Sequence, residues 1–88
     1  QWIERQSTFS ANLDIRGLRG EESILKIQKW LDEAYALGSR DLKVIHGRGD
    51  GILRKLIRDY LKTVNFVKSY KYETEQQGGD GATLITLN

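Results

Sequence analysis

The apolar residues of this chain repeat with two different periods, and the alternation between these periods limits the fold more than any other feature of its 88 residues. Short segments place apolar residues at or near every second position, whereas two longer segments place them every three to four positions. A period of two indicates a strand with one buried face, and a period of 3.6 indicates an amphipathic helix. The chain is therefore predicted to alternate strands with helices.

The order of these segments predicts a βαβαββ arrangement. Strands are expected at residues 12–17, 41–46, 67–73 and 82–87, and helices at residues 21–37 and 52–63. A strand, a crossover helix and a parallel strand form a right-handed unit, so both helices should cover one face of the sheet. We predict an α/β two-layer sandwich with a four-stranded mixed sheet. Its first three strands are expected to be parallel neighbours, with the fourth returning antiparallel from the third.

The length leaves room for one domain. Residues 1–11 show no clean periodicity and are expected to be a linker or N-terminal arm before a domain at residues 12–88. Trp30 and Leu37 are expected in its core, and Gly38 should cap the first helix. The chain has no cysteine, which excludes disulfides and suits the cytoplasm, and it has no apolar run long enough to cross a membrane. It also has no methionine and no signal segment, so we expect it to belong to a longer protein.

Positive charge is concentrated in the middle of a chain whose formal net charge is only +2. Residues 43–71 hold eight Lys or Arg against two Asp, a local balance of +6, while the other 59 residues carry −4. This asymmetry predicts a surface that faces a polyanion such as nucleic acid. The alternative is a helix face that is merely solvated.

The second predicted helix carries a basic strip opposite its apolar stripe. The strip consists of Arg54, Lys55, Arg58 and Lys62. These side chains are predicted to bind nucleic-acid phosphates. Tyr70 and Tyr72 share one face of the third strand and have the chemistry to stack on bases, but packing under a helix is the favoured interpretation.

The predicted topology brings three glycine-containing loops to one edge of the sheet. Parallel strands end at a common edge, and an antiparallel strand begins there. The loops RGLRG, HGRGDG and QQGGDG therefore converge. Ligands of open α/β sheets bind in the crevice outside the carboxyl ends of the strands, which makes this edge the predicted site.

The loop HGRGDG leads directly into a helix. Gly47 and Gly49 would let backbone N–H groups approach a phosphate at the positive end of the helix dipole, with Arg48 between them. The sequence lacks the ending of a Walker A loop, and a plain tight turn is the other interpretation.

Three further side chains at this edge are candidates for chemistry. His46 is the only residue whose ordinary pKa lies near neutrality, so it is the candidate proton donor or acceptor, unless it is a strand-end histidine held by hydrogen bonds. Asp14 is suited to bind a divalent metal, orient a water or pair with Arg16. Asp80 is either a second carboxylate of the site or a turn-forming residue.

Three ordered motifs make the chain recognisable: LDIRG at residues 13–17, HGRG at residues 46–49 and GGDGAT at residues 78–83. With the βαβαββ pattern between them, they resemble the signature motifs of the Smr (small MutS-related) domain over residues 12–88. Many stand-alone members have His at the position of Arg16. The version with Arg is similar to the domain that ends the bacterial MutS-like proteins of the non-mismatch-repair branch.

This resemblance implies an endonuclease that cuts DNA, or messenger RNA on stalled ribosomes, within a dimeric parent protein that carries an ATPase and clamp region. The residues carried over by position are Asp14, Arg16, His46, Gly47, Gly49, Gly79 and Asp80. Because Arg16 replaces a histidine, it holds charge but transfers no proton, and cleavage then depends on Asp14 and His46. No cofactor is required by the motifs, although Mg²⁺ or Mn²⁺ at Asp14 is compatible with them.

Three functions are compatible with these features. A nuclease would hold the scissile phosphate with Arg16, Arg48 and the loop amides, while Asp14 positions water or metal and His46 transfers a proton. A non-catalytic module would use the same crevice to dock on nucleic acid or the ribosome. A small-molecule enzyme is disfavoured, because it would have no use for the basic strip.

Overall fold

The computed structural model describes residues 9–47, 51–73 and 81–88 and confirms the βαβαββ order. The elements are β1 Asn12–Asp14, α1 Gly20–Leu37, β2 Asp41–Ile45, α2 Ile52–Leu61, β3 Val67–Tyr72 and β4 Ala82–Leu87. Three strands and the second helix end one to three residues earlier than predicted, a normal uncertainty for element boundaries. Among the described residues, no helix is both long and apolar enough to span a membrane.

The four strands form one mixed sheet in the order β1-β2-β4-β3. β1 pairs parallel with β2, and β4 pairs antiparallel with both β2 and β3. The prediction that the first three strands are neighbours was therefore wrong. β4 lies between β2 and β3, and β3 forms the edge of the sheet. The first three strands still point the same way, so their carboxyl ends and the start of β4 share one edge.

Both helices pack on the same face of this sheet. The buried residues of α1, including Ile27 and Leu31, form one cluster with Ile57 and Leu61 of α2 and with alternate residues of β2 and β4. Burial of such side chains stabilises a domain by about 1.5–3 kcal/mol each relative to exposure, so this single layer of contacts dominates the stability. The predicted two-layer sandwich is confirmed.

The structure confirms some details predicted for the helices and corrects others. Gly38 caps α1 in the left-handed region, with φ 77°, and its N–H donates to the last turn, as predicted. Trp30 is buried as expected, and its indole N–H donates to Ser10 O at 2.8 Å. Leu37 is only half-buried and lies outside the core cluster, which corrects the prediction. Leu56, an apolar residue of α2, is exposed.

The face of the sheet opposite the helices carries an ion pair across β4. Lys43 Nζ lies 2.7 Å from a carboxylate oxygen of Glu73, whose side chain is buried. A buried carboxylate requires such a partner, because desolvation of an isolated charge is costly. This pair links β2 to the end of β3.

Candidate functional site

Three chain segments meet at the edge where β1 and β2 end and β4 begins. Ile15 N donates to Ile45 O at 2.9 Å, which extends the β1–β2 pairing beyond β1. His46 N and Gly47 N donate to Gly81 O at 3.1 and 2.9 Å. The predicted convergence of these segments is therefore present in the fold.

Asp14 and Arg16 form a two-point ion pair on the outer side of this edge. Arg16 Nε donates to both carboxylate oxygens at 3.0 and 3.2 Å, and Nη2 donates to Oδ2 at 2.7 Å. The backbone N–H of Arg16 also donates to Oδ1 at 3.0 Å. The Arg16 side-chain hydrogen bonds, followed by that of its backbone N–H, lower the pKa of Asp14 to about 2. Asp14 is thus ionised at every physiological pH.

The pair leaves one end of the Arg16 guanidinium available. Among the described residues, Nη1 has no hydrogen-bond acceptor, and 63% of the side chain is exposed. A guanidinium that is fixed along one edge and open at its end presents a cation in a defined orientation, suited to a phosphate oxygen.

Gly47 gives Arg16 its position over the loop. Gly47 has φ 78°, in the left-handed region that favours glycine, and a Cβ built on it would lie 3.5 Å from Arg16 Cγ. The aliphatic part of Arg16 therefore lies close to Gly47. Arg16 of the LDIRG motif and the described start of the HGRG motif are thus neighbours in space.

His46 is buried, with 5% of its surface exposed, and both ring nitrogens are engaged. Nδ1 lies 2.9 Å from Gly47 O, so it carries a proton and donates it to that carbonyl. Nε2 lies 2.8 Å from Thr83 Oγ1, and in the neutral imidazole it accepts the threonine proton. His46 thereby holds its own loop against β4, and Thr83 is its described partner at Nε2.

Tyr72, at the end of β3, joins this edge to the basic strip. Its ring lies edge-on to His46, with centroids 6.5 Å apart at 75°. The guanidinium carbons of Arg54 and Arg58 lie 5.7 and 5.5 Å from the Tyr72 centroid. Tyr72 lies beside α2 but stays 37% exposed, so the packing favoured for it is only partial, while Tyr70 packs against the core cluster.

The two lysines of the basic strip behave differently from its arginines. Lys55 Nζ lies 2.8 Å from Asp59 Oδ2, and Lys62 Nζ lies 3.9 Å from Asp59 Oδ1. The hydrogen bond from Lys55 lowers the pKa of Asp59. Part of the predicted positive strip is thus balanced by a carboxylate on the same helix.

The remaining predicted residues of the glycine-containing loops, Arg48, Gly49, Gly79 and Asp80, lie outside the described residues. Within the described ranges, no three His, Asp or Glu side chains form a group that could hold a metal ion. Asp14, the predicted metal ligand, binds Arg16 through both oxygens and would have to exchange that partner for a cation. The described donor set does not fit a divalent metal.

Two members of this site, Thr83 and Tyr72, were not assigned to it from the sequence. Thr83, the partner of His46, was considered only as part of the GGDGAT motif, and Tyr72 was not connected to the arginines. The antiparallel pairing of β3 with β4 was predicted, but the register that places Tyr72 opposite Thr83 and the position of α2 beside Tyr72 had no signal in the sequence.

This fold and these motifs define a class of protein. The model of the Smr domain family matches residues 13–88, and the chain belongs to that family. Among similar proteins, the endonuclease MutS2 of Carboxydothermus hydrogenoformans is 41% identical over 85 residues, which are 97% of this chain and 11% of that protein. The endonuclease MutS2 of Clostridium botulinum is 44% identical over 81 residues, or 92% of this chain and 10% of that protein. The chain thus spans about a tenth of the length of these relatives.

Solved structures share the fold. The Smr domain of Thermus thermophilus MutS2 superposes with a TM-score of 0.85 at 38% identity, over 88% of this chain and 96% of that one. YdaL, a stand-alone small MutS-related protein from Escherichia coli, superposes with a TM-score of 0.83 at 26% identity, over 89% of this chain and 64% of that one. The same architecture therefore occurs both as a domain of a MutS2 protein and as a stand-alone protein.

Proposed function

We propose that this chain is a nucleic-acid-binding endonuclease domain that cuts the phosphodiester backbone of DNA or RNA. The observation that carries the proposal is the open guanidinium of Arg16, fixed by Asp14 and lying over Gly47 at the edge that also holds His46. Its surroundings are positive, since Arg54 and Arg58 reach the same edge through Tyr72. The name of the MutS2 relatives, endonuclease, supports the same reaction class.

In this proposal, Arg16 holds the scissile phosphate. Water attacks phosphorus, the bond from phosphorus to the leaving oxygen breaks, and the pentacovalent phosphate gains negative charge on the way. A cation whose orientation is already fixed stabilises that charge more than it stabilises the substrate. Asp14 fixes Arg16, and its ionised carboxylate is also placed to orient the water.

His46 would move the proton that the attacking water releases. Its Nδ1–H is committed to Gly47 O, so Nε2 is the atom that gains the proton. Thr83 passes its hydroxyl proton to Nε2 and takes one from the water. The leaving oxygen is protonated from the same relay or from solvent.

A second candidate function is a docking module that binds nucleic acid or ribosomal RNA without cutting it. The burial of His46, with both ring nitrogens engaged, favours this alternative, because a structural histidine needs no access to substrate. The basic surface serves both functions.

The proposal also concerns the larger protein to which this domain belongs. We infer that this domain is the C-terminal part of a cytoplasmic MutS-like protein whose ATPase and clamp region acts as its partner, with a dimeric parent. Recombination intermediates and messenger RNA on stalled ribosomes are the candidate substrates. Full-length MutS2 relatives that are about ten times longer than this chain support the larger parent.

One experiment separates the two functions. The 88-residue chain is incubated with labelled single-stranded RNA and with supercoiled plasmid, with and without EDTA, beside an Asp14→Asn preparation. Cutting by the wild type and not by the variant supports the endonuclease. Binding without any cutting, including with added Mg²⁺ or Mn²⁺, replaces it by the docking module.

A further inference from the structure

Two arginines of α2 converge on one aromatic ring at the end of β3. Arg54 and Arg58 lie four residues apart on the helix, and their guanidinium carbons are 5.7 and 5.5 Å from the Tyr72 centroid. A cation within about 6 Å of a ring centroid is attracted by the ring quadrupole. Tyr72 therefore holds both cations at once.

Arg58 makes a second contact with Tyr72, and Gly51 leaves room for the head of Arg54. Arg58 Nη1 donates to Tyr72 Oη at 3.3 Å. The head of Arg54 lies against Gly51, where a Cβ would be 2.8 Å from Arg54 Nη2. Gly51 has φ 86° and precedes the first residue of α2, so its missing side chain gives Arg54 the room to lie there.

The convergence of these arginines is not required by the packing of α2. Ile57 and Leu61 bury the helix, and Arg58 is exposed and pairs with no carboxylate among the described residues. An exposed guanidinium that lies beside a second one on the same ring is placed to hold a phosphate oxygen through charge-assisted hydrogen bonds.

The cluster adjoins the Arg16 edge. The Tyr72 ring contacts the His46 ring, and His46 is followed by Gly47, over which Arg16 lies. A narrow cleft of about 50 Å³ beside the cluster is lined by Arg58, Tyr70, Lys71, Tyr72 and Thr83. Thr83 therefore lines this cleft and also contacts His46 at the Arg16 edge.

We propose that Arg54 and Arg58, positioned by Tyr72, form a second phosphate subsite that binds the nucleic-acid backbone beside the phosphate held at Arg16. Tyr72 is a positioning residue, since it acts through the two guanidiniums. The inference rests on the proposed function and deepens it, because it assigns the bound nucleic-acid strand a path from Arg16 across Tyr72 to α2.

The test measures the affinity of the 88-residue chain for a fluorescein-labelled oligonucleotide by anisotropy across a salt series. Tyr72→Leu releases both arginines while keeping their charge, and we expect it to weaken binding about tenfold, the loss of one charge-assisted contact. Tyr72→Phe keeps the ring and should retain most of the affinity. Tyr35→Leu, at an exposed tyrosine of α1, is the matched control and should bind as the wild type does.

Arg58→Lys is the second variant, in case Tyr72→Leu lowers the stability. It keeps the charge but loses the planar donor pair, so we expect a similar weakening with an almost unchanged salt slope. If both variants bind as the wild type does, the arginines act as diffuse charge and the subsite is refuted, while the proposed function stands. If the wild type itself does not bind, the proposed function fails.

Inorganic phosphate tests the subsite directly. At matched ionic strength, phosphate should displace the oligonucleotide better than chloride does, because the guanidiniums bind phosphate oxygens through charge-assisted hydrogen bonds. Displacement that is no better than by chloride, or that is equal in the wild type and in Arg58→Lys, would contradict the subsite.

Discussion

At the scale of single residues, the central feature is a carboxylate that fixes a guanidinium. Asp14 accepts three side-chain contacts and one backbone hydrogen bond from Arg16, and its pKa falls to about 2. Such a carboxylate is a weak base. Its contribution to catalysis in the proposed mechanism is electrostatic and geometric, so it orients Arg16 and water without accepting a proton.

The pKa of Asp14 is a direct test of this pair. In the wild type, carboxyl NMR should give a midpoint near 2, and Arg16→Ala should raise the pKa toward 3.8, since the side-chain hydrogen bonds are lost. A depressed pKa contributes stability above the ordinary value of 3.8, and this contribution disappears as the pH falls through about 2. An unchanged midpoint in Arg16→Ala would contradict the pairing.

Asp14→Asn should separate cleavage from binding. The variant keeps the shape and removes a negative charge beside a polyanion, so affinity should hold or rise, while cleavage falls by at least about 100-fold. Affinity and single-turnover rate are measured on the same preparation. Asp41→Asn, which makes the same charge change at the start of β2, away from the site edge, is the control. Equal cleavage by Asp14→Asn and the wild type would remove Asp14 from the mechanism.

His46 and Thr83 can be tested as a relay. His46→Ala should leave affinity nearly unchanged and abolish any dependence of the cleavage rate on pH between about 5 and 8, where histidines titrate. Thr83→Val keeps the shape of Thr83 but removes the hydroxyl, so it should slow cleavage in the same way. Thermal unfolding is followed in parallel, because both residues are buried. A pH profile that persists in both variants assigns the proton transfer to another group.

At the scale of elements, α2 divides its work between two faces. Ile57 and Leu61 attach the helix to the sheet, and the arginines lie over Tyr72. The helix has no acidic residue in its first turn, whereas α1 has Glu21 and Glu22 there. The positive end of the α2 dipole therefore adds to the charge of its arginines.

The arginines and lysines of the basic strip are expected to contribute unequally to the salt dependence of binding. Replacing Arg54 and Arg58 together by Gln should flatten the dependence of log affinity on log salt by about two, since two phosphate contacts are lost. Lys55→Gln should change the slope less, because Lys55 already pairs with Asp59. Equal effects for each lost charge would show that position on the helix does not matter.

At the scale of the whole molecule, one core supports every part of the site. Ile15, which follows β1 and precedes Arg16, is fully buried in the same cluster as Val44 of β2 and Ile85 of β4. Distortion of this layer moves the loop edge, because the site residues directly follow or precede buried positions.

Stability should therefore depend mainly on this layer. Ile57→Ala is expected to lower the free energy of unfolding by about 2–5 kcal/mol, the range for a buried large-to-small change. Leu25→Ala, at a residue that is 61% exposed, should change it by less than about 0.5 kcal/mol. Urea denaturation measures both. Similar losses would mean that α1 uses its exposed side in packing.

The sequence by itself determined the local structure and the sheet edge at which the candidate site residues meet. The periods of the apolar residues predicted every element, Gly38 marked the end of α1, and the common direction of the first three strands brought LDIRG, HGRG and the start of β4 to one edge. These features depend on backbone propensity and on the alternation of faces, which neighbouring residues encode.

Only the tertiary structure decided the strand order and the contacts that follow from it. Period does not specify which strand pairs with which, so the insertion of β4 between β2 and β3 had no local signal. That insertion places Thr83 between His46 and Tyr72. The exposure of Leu56 and the convergence of two arginines on Tyr72 likewise depend on how α2 lies over the sheet. These contacts join residues far apart in the chain, and their geometry is set by the packing of whole elements.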